Sequence, residues 1–150
     1  MAVTGLLEGL ESESLVILAG MSESDNKFQL TEYFENAINE LKIELPDKRT
    51  AAIELSLFYA QEIIDNRLDP IDGLSKIIRN CLNSYNFFDE SNPYAMDSIQ
   101  FHILYGLYWT YDDLKNSDNQ WQKDKSNEEL MQETKSEIIK ETRIWIRKIK

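Results

Sequence analysis

YAMDSIQFHILYGLYWTYDD, residues 94–113, is the stretch whose reading decides the fold. Between Ile99 and Tyr111 only Gln100, His102, Gly106 and Thr110 are neither large aliphatic nor aromatic. A helix with such side chains on nearly every face is normally buried on several sides. The segments around it are one-sided, so they are expected to pack against it. The reading is an all-α, single-domain bundle of five or six helices around a central apolar helix over about residues 93–113.

Outward from that helix, Asn92-Pro93 is read as its start. Asp69-Pro70 carries the same signature, with an acceptor at the cap, proline at the first helical position and Asp72 in the first turn. Ile71, Leu74, Ile77, Ile78, Cys81 and Leu82 follow at helical spacing. The connection NSYNFFDESN, residues 83–92, exposes Phe87 and Phe88 in this reading. Asp47 caps a helix over about 48–66, with Ile53, Leu57, Ala60 and Ile64 on its inner stripe and Leu55, Tyr59 and Ile63 widening it. Leu45-Pro46 ends the helix before it, whose stripe is Leu30, Phe34, Ala37 or Ile38, and Leu41. Asn26 with Gln29 resembles a capping box there, as does Ser126 with Glu129 ahead of the last helix.

Two further segments complete the plan. Leu6–Gly20 is read as a short helix ending at a left-handed Gly20, with a buried strand as the alternative for the run Leu15–Ala19. Lys115–Asn127 is a polar loop with Trp121 as its one large apolar group. In the last helix Met131, Ile138 and Trp145 recur every seven residues, with Thr142 and Ile149 beside them.

The chain has 150 residues, 42% hydrophobic and 29% charged, which fits one globular domain. The net charge is −11 and is unevenly spread. Lys135–Lys150 holds six basic and two acidic residues, a net +4, which leaves −15 on the residues before it. That acidic body opposes nucleic acid phosphates and anionic lipid, and favours a basic partner. Solubility alone also accounts for it. The basic end suits the helix macrodipole better than a nucleic acid patch.

Cys81 is the one cysteine, so neither an intrachain disulfide nor a cysteine-based zinc site is available within one chain. The run Leu15–Ala19 is too short for a signal core or a membrane span, and the expectation is a soluble cytoplasmic protein without membrane attachment.

His102 is the one histidine and has no E-x-x-H partner pattern, so metal and catalytic roles are not assigned. A hydrogen-bonded core histidine is the plainer expectation. Cys81 falls on an apolar stripe and reads as a buried, inert thiol; its pairing with His102 has no other support. The loop Asp65–Gly73 lacks calcium-ligand spacing, and no glycine-rich phosphate loop is present. No cofactor is implied. Tyr105, Tyr108, Trp109 and Tyr111 form the densest aromatic group; mostly core, it can also reach the surface at one edge.

The run LVILAGMSESDNKFQLTEYFENAINELKIELPD, followed by AIELSLFYAQEIIDNRLDPIDGL, is similar to a group of small bacterial proteins of unknown function. They share L-A-G, then N-x-F and Y-F-x-x-A with E-L, and later D-P-x-x-G. Here these are Leu18, Ala19, Gly20, Asn26, Phe28, Tyr33, Phe34, Ala37, Glu40, Leu41, Asp69, Pro70 and Gly73. The resemblance covers the first half of the chain and implies a bacterial origin and a helical fold, with no activity or catalytic residue attached.

Three functional readings follow. The leading one is a non-enzymatic acidic binding protein for a basic partner, of the immunity or antitoxin kind, since that role needs a rigid acidic face and no catalytic set. The second is a small-ligand or enzymatic pocket beside His102 and Tyr105–Tyr111. The third is a structural homo-oligomer joined through the Trp145 stripe or Phe87-Phe88. The residues selected as partner or pocket contacts are His102, Tyr105, Tyr108, Trp109, Phe87 and Phe88.

Overall fold

Local capping chemistry marks out most of the helices. The computed structural model describes residues 2–22, 24–117 and 124–150; Trp121 and the centre of its loop lie outside them. Among the described residues the chain is all-α, with seven α-helices and no strand. Its backbone groups into two compact units, Met1–Leu45 and Pro46–Lys150.

The first unit holds α1 (Ala2–Leu7), α2 (Glu13–Gly20) and α3 (Lys27–Glu40). It buries little: Ser12, Ser14, Leu15 and Ala37. A polar clasp compensates. Ser12 caps α2 by accepting the Leu15 amide at 3.1 Å. The Ser12 and Ser14 hydroxyls each donate to the Glu40 carboxylate at 2.6 Å, joining the start of α2 to the end of α3. The left-handed glycine is Gly9, at φ +88°, between α1 and α2. Gly20 instead closes α2 and is followed by an extended Met21, so the single helix expected over Leu6–Gly20 is two. Asn26 caps α3 by accepting the Phe28 amide, without the Gln29 half of the expected capping box. Phe34, expected on the inner stripe of α3, is 52% exposed because this unit has too little apolar bulk to cover both faces of the helix.

The second unit is built on α7 (Asn127–Ile149), which packs against α4 (Lys48–Ile64), α5 (Pro70–Lys76) and α6 (His102–Asn116). Its seam is Leu130, Thr134, Ile138, Thr142 and Trp145. The two threonine hydroxyls are satisfied by the carbonyls of Leu130 and Ile138, each at 2.7 Å, so they enter the core without an unpaired polar group. The Ser126–Glu129 capping box forms with both of its bonds.

Asp47 caps α4 through the Thr50 amide at 2.9 Å, and Asp69 caps α5 through the Ile71 amide at 2.9 Å. A Cβ on Gly73 would overlap Ile63, so glycine at this position lets α5 lie close against α4. α5 continues as a π-helical turn, Ile77–Cys81, and a 3-10 turn, Leu82–Ser84. The inner stripe of α4 is Ala52, Ser56, Ala60 and Ile63, one step round from the expected Ile53–Leu57–Ala60–Ile64, and Leu55 faces solvent. Small residues dominate that stripe because α4 must accommodate several neighbours at short range.

The central helix differs most from expectation. It begins at His102, not Pro93, and within it only Leu104 is buried; Trp109 is 45% exposed. Asn92-Pro93 is a cis bond in a turn-rich segment. There Asp97 accepts the Asn92 and Tyr94 amides, Ser91 Oγ accepts the Met96 amide, and Met96 and Gln100 are left-handed. These side-chain bonds outcompete a helix over residues 93–101. The segment is then pinned to α7. Trp145 Nε1 donates to the Ile99 carbonyl at 2.8 Å, and Phe101 meets the Trp145 ring edge-on at 5.1 Å.

Two outcomes test this packing. Trp145→Phe keeps most of the ring but strands the Ile99 carbonyl; it is expected to cost about 1–3 kcal/mol in urea unfolding, and an unchanged midpoint would contradict the assignment. In the first unit, hydrogen bonds from Ser12 and then Ser14 hold the Glu40 carboxyl below its ordinary 4.5. A carboxyl depressed in the fold stabilises it above the unfolded value, and that contribution is lost as pH falls through the folded one. An NMR titration should therefore show the Ser14 amide responding with a midpoint below 4.5, and no response in Glu40→Gln.

Candidate functional site

Once α6 starts at His102, its geometry is fixed by Phe101 and Leu104, which point into the core. The opposite face then carries His102, Ile103, Gly106, Trp109, Thr110 and Asp113 by the helical period. Ile103 and Trp109 are about half exposed, and Gly106, Thr110 and Asp113 are exposed.

Aromatic rings form a connected strip along one edge of this face. Phe88 meets Tyr105 edge-on at 6.3 Å, Tyr105 meets Trp109 at 6.1 Å, and Trp109 meets Tyr108 at 5.3 Å. At the start of the helix Tyr94 stacks on His102 at 5.9 Å, and Tyr94 is 64% exposed. Half-exposed rings held by their neighbours are pre-ordered for contact, because little side-chain freedom remains to be lost.

Five of the six sequence-selected residues therefore gather in one region: His102, Tyr105, Tyr108, Trp109 and Phe88. Phe87 does not. It is fully buried, packed edge-on against Tyr85 at 4.7 Å with the Arg49 guanidinium 5.8 Å from its ring centre. Adjacent residues in a turn point opposite ways, so one phenylalanine goes in and the next goes out. His102 is not a hydrogen-bonded core residue either: it is half-buried, and its Nδ1 has no hydrogen-bond partner among the described residues. Cys81 is buried, and burial pushes its thiol up, away from reactivity.

The 83–91 connection that presents Phe88 is itself braced. Glu90 accepts two bonds from Arg49 Nε at 3.1 Å, one from Arg49 Nη2 at 3.0 Å and one from the Tyr85 hydroxyl at 2.6 Å. Arg49 above all, then Tyr85, holds the Glu90 carboxyl below its usual range. Beside this connection lies an open cleft of about 440 Å³, lined by Leu82, Asn83, Ser84, Tyr85, Asn86 and Phe88. His102 is not among its walls, so the pocket reading gains no cavity at that residue from this cleft.

Charge sets the character of the surface. From Asn80 to Leu114 the chain has no lysine or arginine, while it holds Asp89, Glu90, Asp97, Asp112, Asp113 and nine aromatic residues. That local absence of base is visible in the sequence, whereas Tyr94 and Gly106 do not stand out by residue type alone. Among the described residues no group of three His, Cys, Asp or Glu could hold a metal ion, and no helix is long and apolar enough to cross a membrane.

In comparisons with known proteins, no family model, no curated protein and no solved structure matches this chain.

Proposed function

We propose that this chain is a non-enzymatic binding protein that engages a basic partner protein through the aromatic strip of α6 and its acidic margin, in the manner of an immunity or antitoxin protein. One observation carries the reading: a helix face with half-exposed Trp109 and Ile103, next to exposed Phe88 and Tyr94, in a segment with carboxylates and no lysine or arginine. Exposed tryptophan and tyrosine are the residue types that most often dominate binding energy at protein interfaces. Rings take arginine by cation–π contact, and surrounding carboxylates speed and orient the approach of a basic surface. The same charges disfavour nucleic acid. The reading needs no reactive group, in keeping with a buried Cys81 and a His102 stacked on Tyr94.

The test uses the full chain immobilised at low ionic strength beside Phe88→Ala and Trp109→Ala variants. Both side chains are about half exposed, so each variant is expected to unfold within about 1 kcal/mol of the parent. A basic protein retained by the parent, released by salt and lost from the variants supports the reading. Retention of no basic protein, or equal retention by the variants, removes it.

A further inference from the structure

Gly106 lies in the middle of the exposed face of α6, and among the described residues nothing calls for a glycine there. A Cβ added to it meets no atom within 4 Å, unlike Gly73, where a Cβ would overlap Ile63. Its backbone is ordinary helix, and its carbonyl accepts the Thr110 hydroxyl at 3.0 Å. Glycine at an open helical position weakens the helix relative to alanine. The free chain thus carries a cost that packing among the described residues does not explain.

With no atom within 4 Å of where its Cβ would stand, the missing side chain leaves a shallow notch, one side chain deep, in this face. Ile103 and Trp109, three residues to either side, are each about half exposed. Asp113 is an exposed carboxylate near the end of the face, and Asp97, whose oxygens also accept the Asn92 and Tyr94 amides, lies ahead of its start. The segment from Asn80 to Leu114 itself holds no lysine or arginine; the cations packed against it are Arg49, paired with Glu90, and Lys135, over the Tyr111 ring and paired with Asp69, so both are already balanced by carboxylates.

We infer that the notch at Gly106 seats one helix of a basic partner, its backbone crossing between Ile103 and Trp109 and its arginines reaching the Trp109 ring and the carboxylates of Asp97 and Asp113. The inference rests on the basic-partner reading and specifies its geometry. A missing side chain lets two helix axes approach toward the short end of their usual 8–10 Å separation, which is what a glycine supplies to a neighbour and not to itself. A second copy of this chain is a poorer occupant, because the same acidic face would meet its own charges. Nucleic acid is poorer still, since its phosphates meet carboxylates.

The test uses the full chain and two synthetic amphipathic helices of leucine and alanine, one flanked by arginine and one by glutamate. The arginine peptide is expected to bind and the glutamate peptide not, with NMR perturbations centred on Ile103–Asp113. Gly106→Ala is expected to raise the thermal midpoint of the free chain by a few degrees while weakening the arginine peptide about tenfold or more. Gly106→Leu should weaken it further. If the arginine peptide binds but Gly106→Ala binds it equally well, or the perturbations lie elsewhere, the notch is not the seat and the basic-partner reading survives. A lowered midpoint for Gly106→Ala would show that the fold itself needs the glycine, which overturns the inference. If the arginine peptide and every basic protein in the immobilised-chain experiment fail to bind, the broader reading falls with it. A dimer seen by light scattering and abolished by Gly106→Ala would make a second copy the occupant and overturn the assignment.

Discussion

The hydrogen bond from Trp145 Nε1 to the Ile99 carbonyl is the contact on which the larger unit depends. Residues 91–101 contain only one short 3-10 turn, Asp97–Ile99, so their polar groups must be satisfied largely one by one. Asp97 takes two amides, Ser91 takes a third, and the indole takes the carbonyl that would otherwise be left buried without a donor. The ring fills the space beside Phe101 at the same time. One side chain of α7 thus supplies both packing and polar satisfaction to a segment that cannot order itself.

The outward face of α6 follows from that anchoring. Phe101 is fully buried, and α6 begins at the next residue, so the rotation of the helix is set where it starts. Leu104 continues inward, and Ile103, Gly106 and Trp109 are turned toward solvent by the helical period. The Arg49–Glu90–Tyr85 cluster fixes the neighbouring connection in the same way and sets Phe88 against Tyr105. The exposed aromatic face is therefore carried on braced backbone, although much of that backbone is irregular.

Features governed by short-range chemistry were legible in the sequence. Asp47, Asp69-Pro70 and Ser126 with Glu129 all cap helices where their residue types say they should. Asn92-Pro93 has the same local signature as Asp69-Pro70 and does not start a helix, because Asp97 and Ser91 bind the amides concerned. That competition depends on residues meeting across a turn, which a cap rule does not weigh. The composition of residues 94–113 identified an apolar segment but could not say which apolar residues find cover. Leu104 does, Trp109 does not, and the difference is set by where the helix starts. Phe87 and Phe88 repeat the point, since two identical neighbours are separated only by the direction of a turn.

Amide hydrogen exchange on the unmodified protein tests most directly whether residues 91–101 are ordered by α7. The amides of Met96, Gln100 and Phe101, bonded to Ser91 Oγ, the Asp97 carbonyl and the Met96 carbonyl, should exchange on the same slow timescale as those of α7 between Ile138 and Trp145. Exchange of those three amides at the rate of frayed helix ends, while α7 stays protected, would contradict the account.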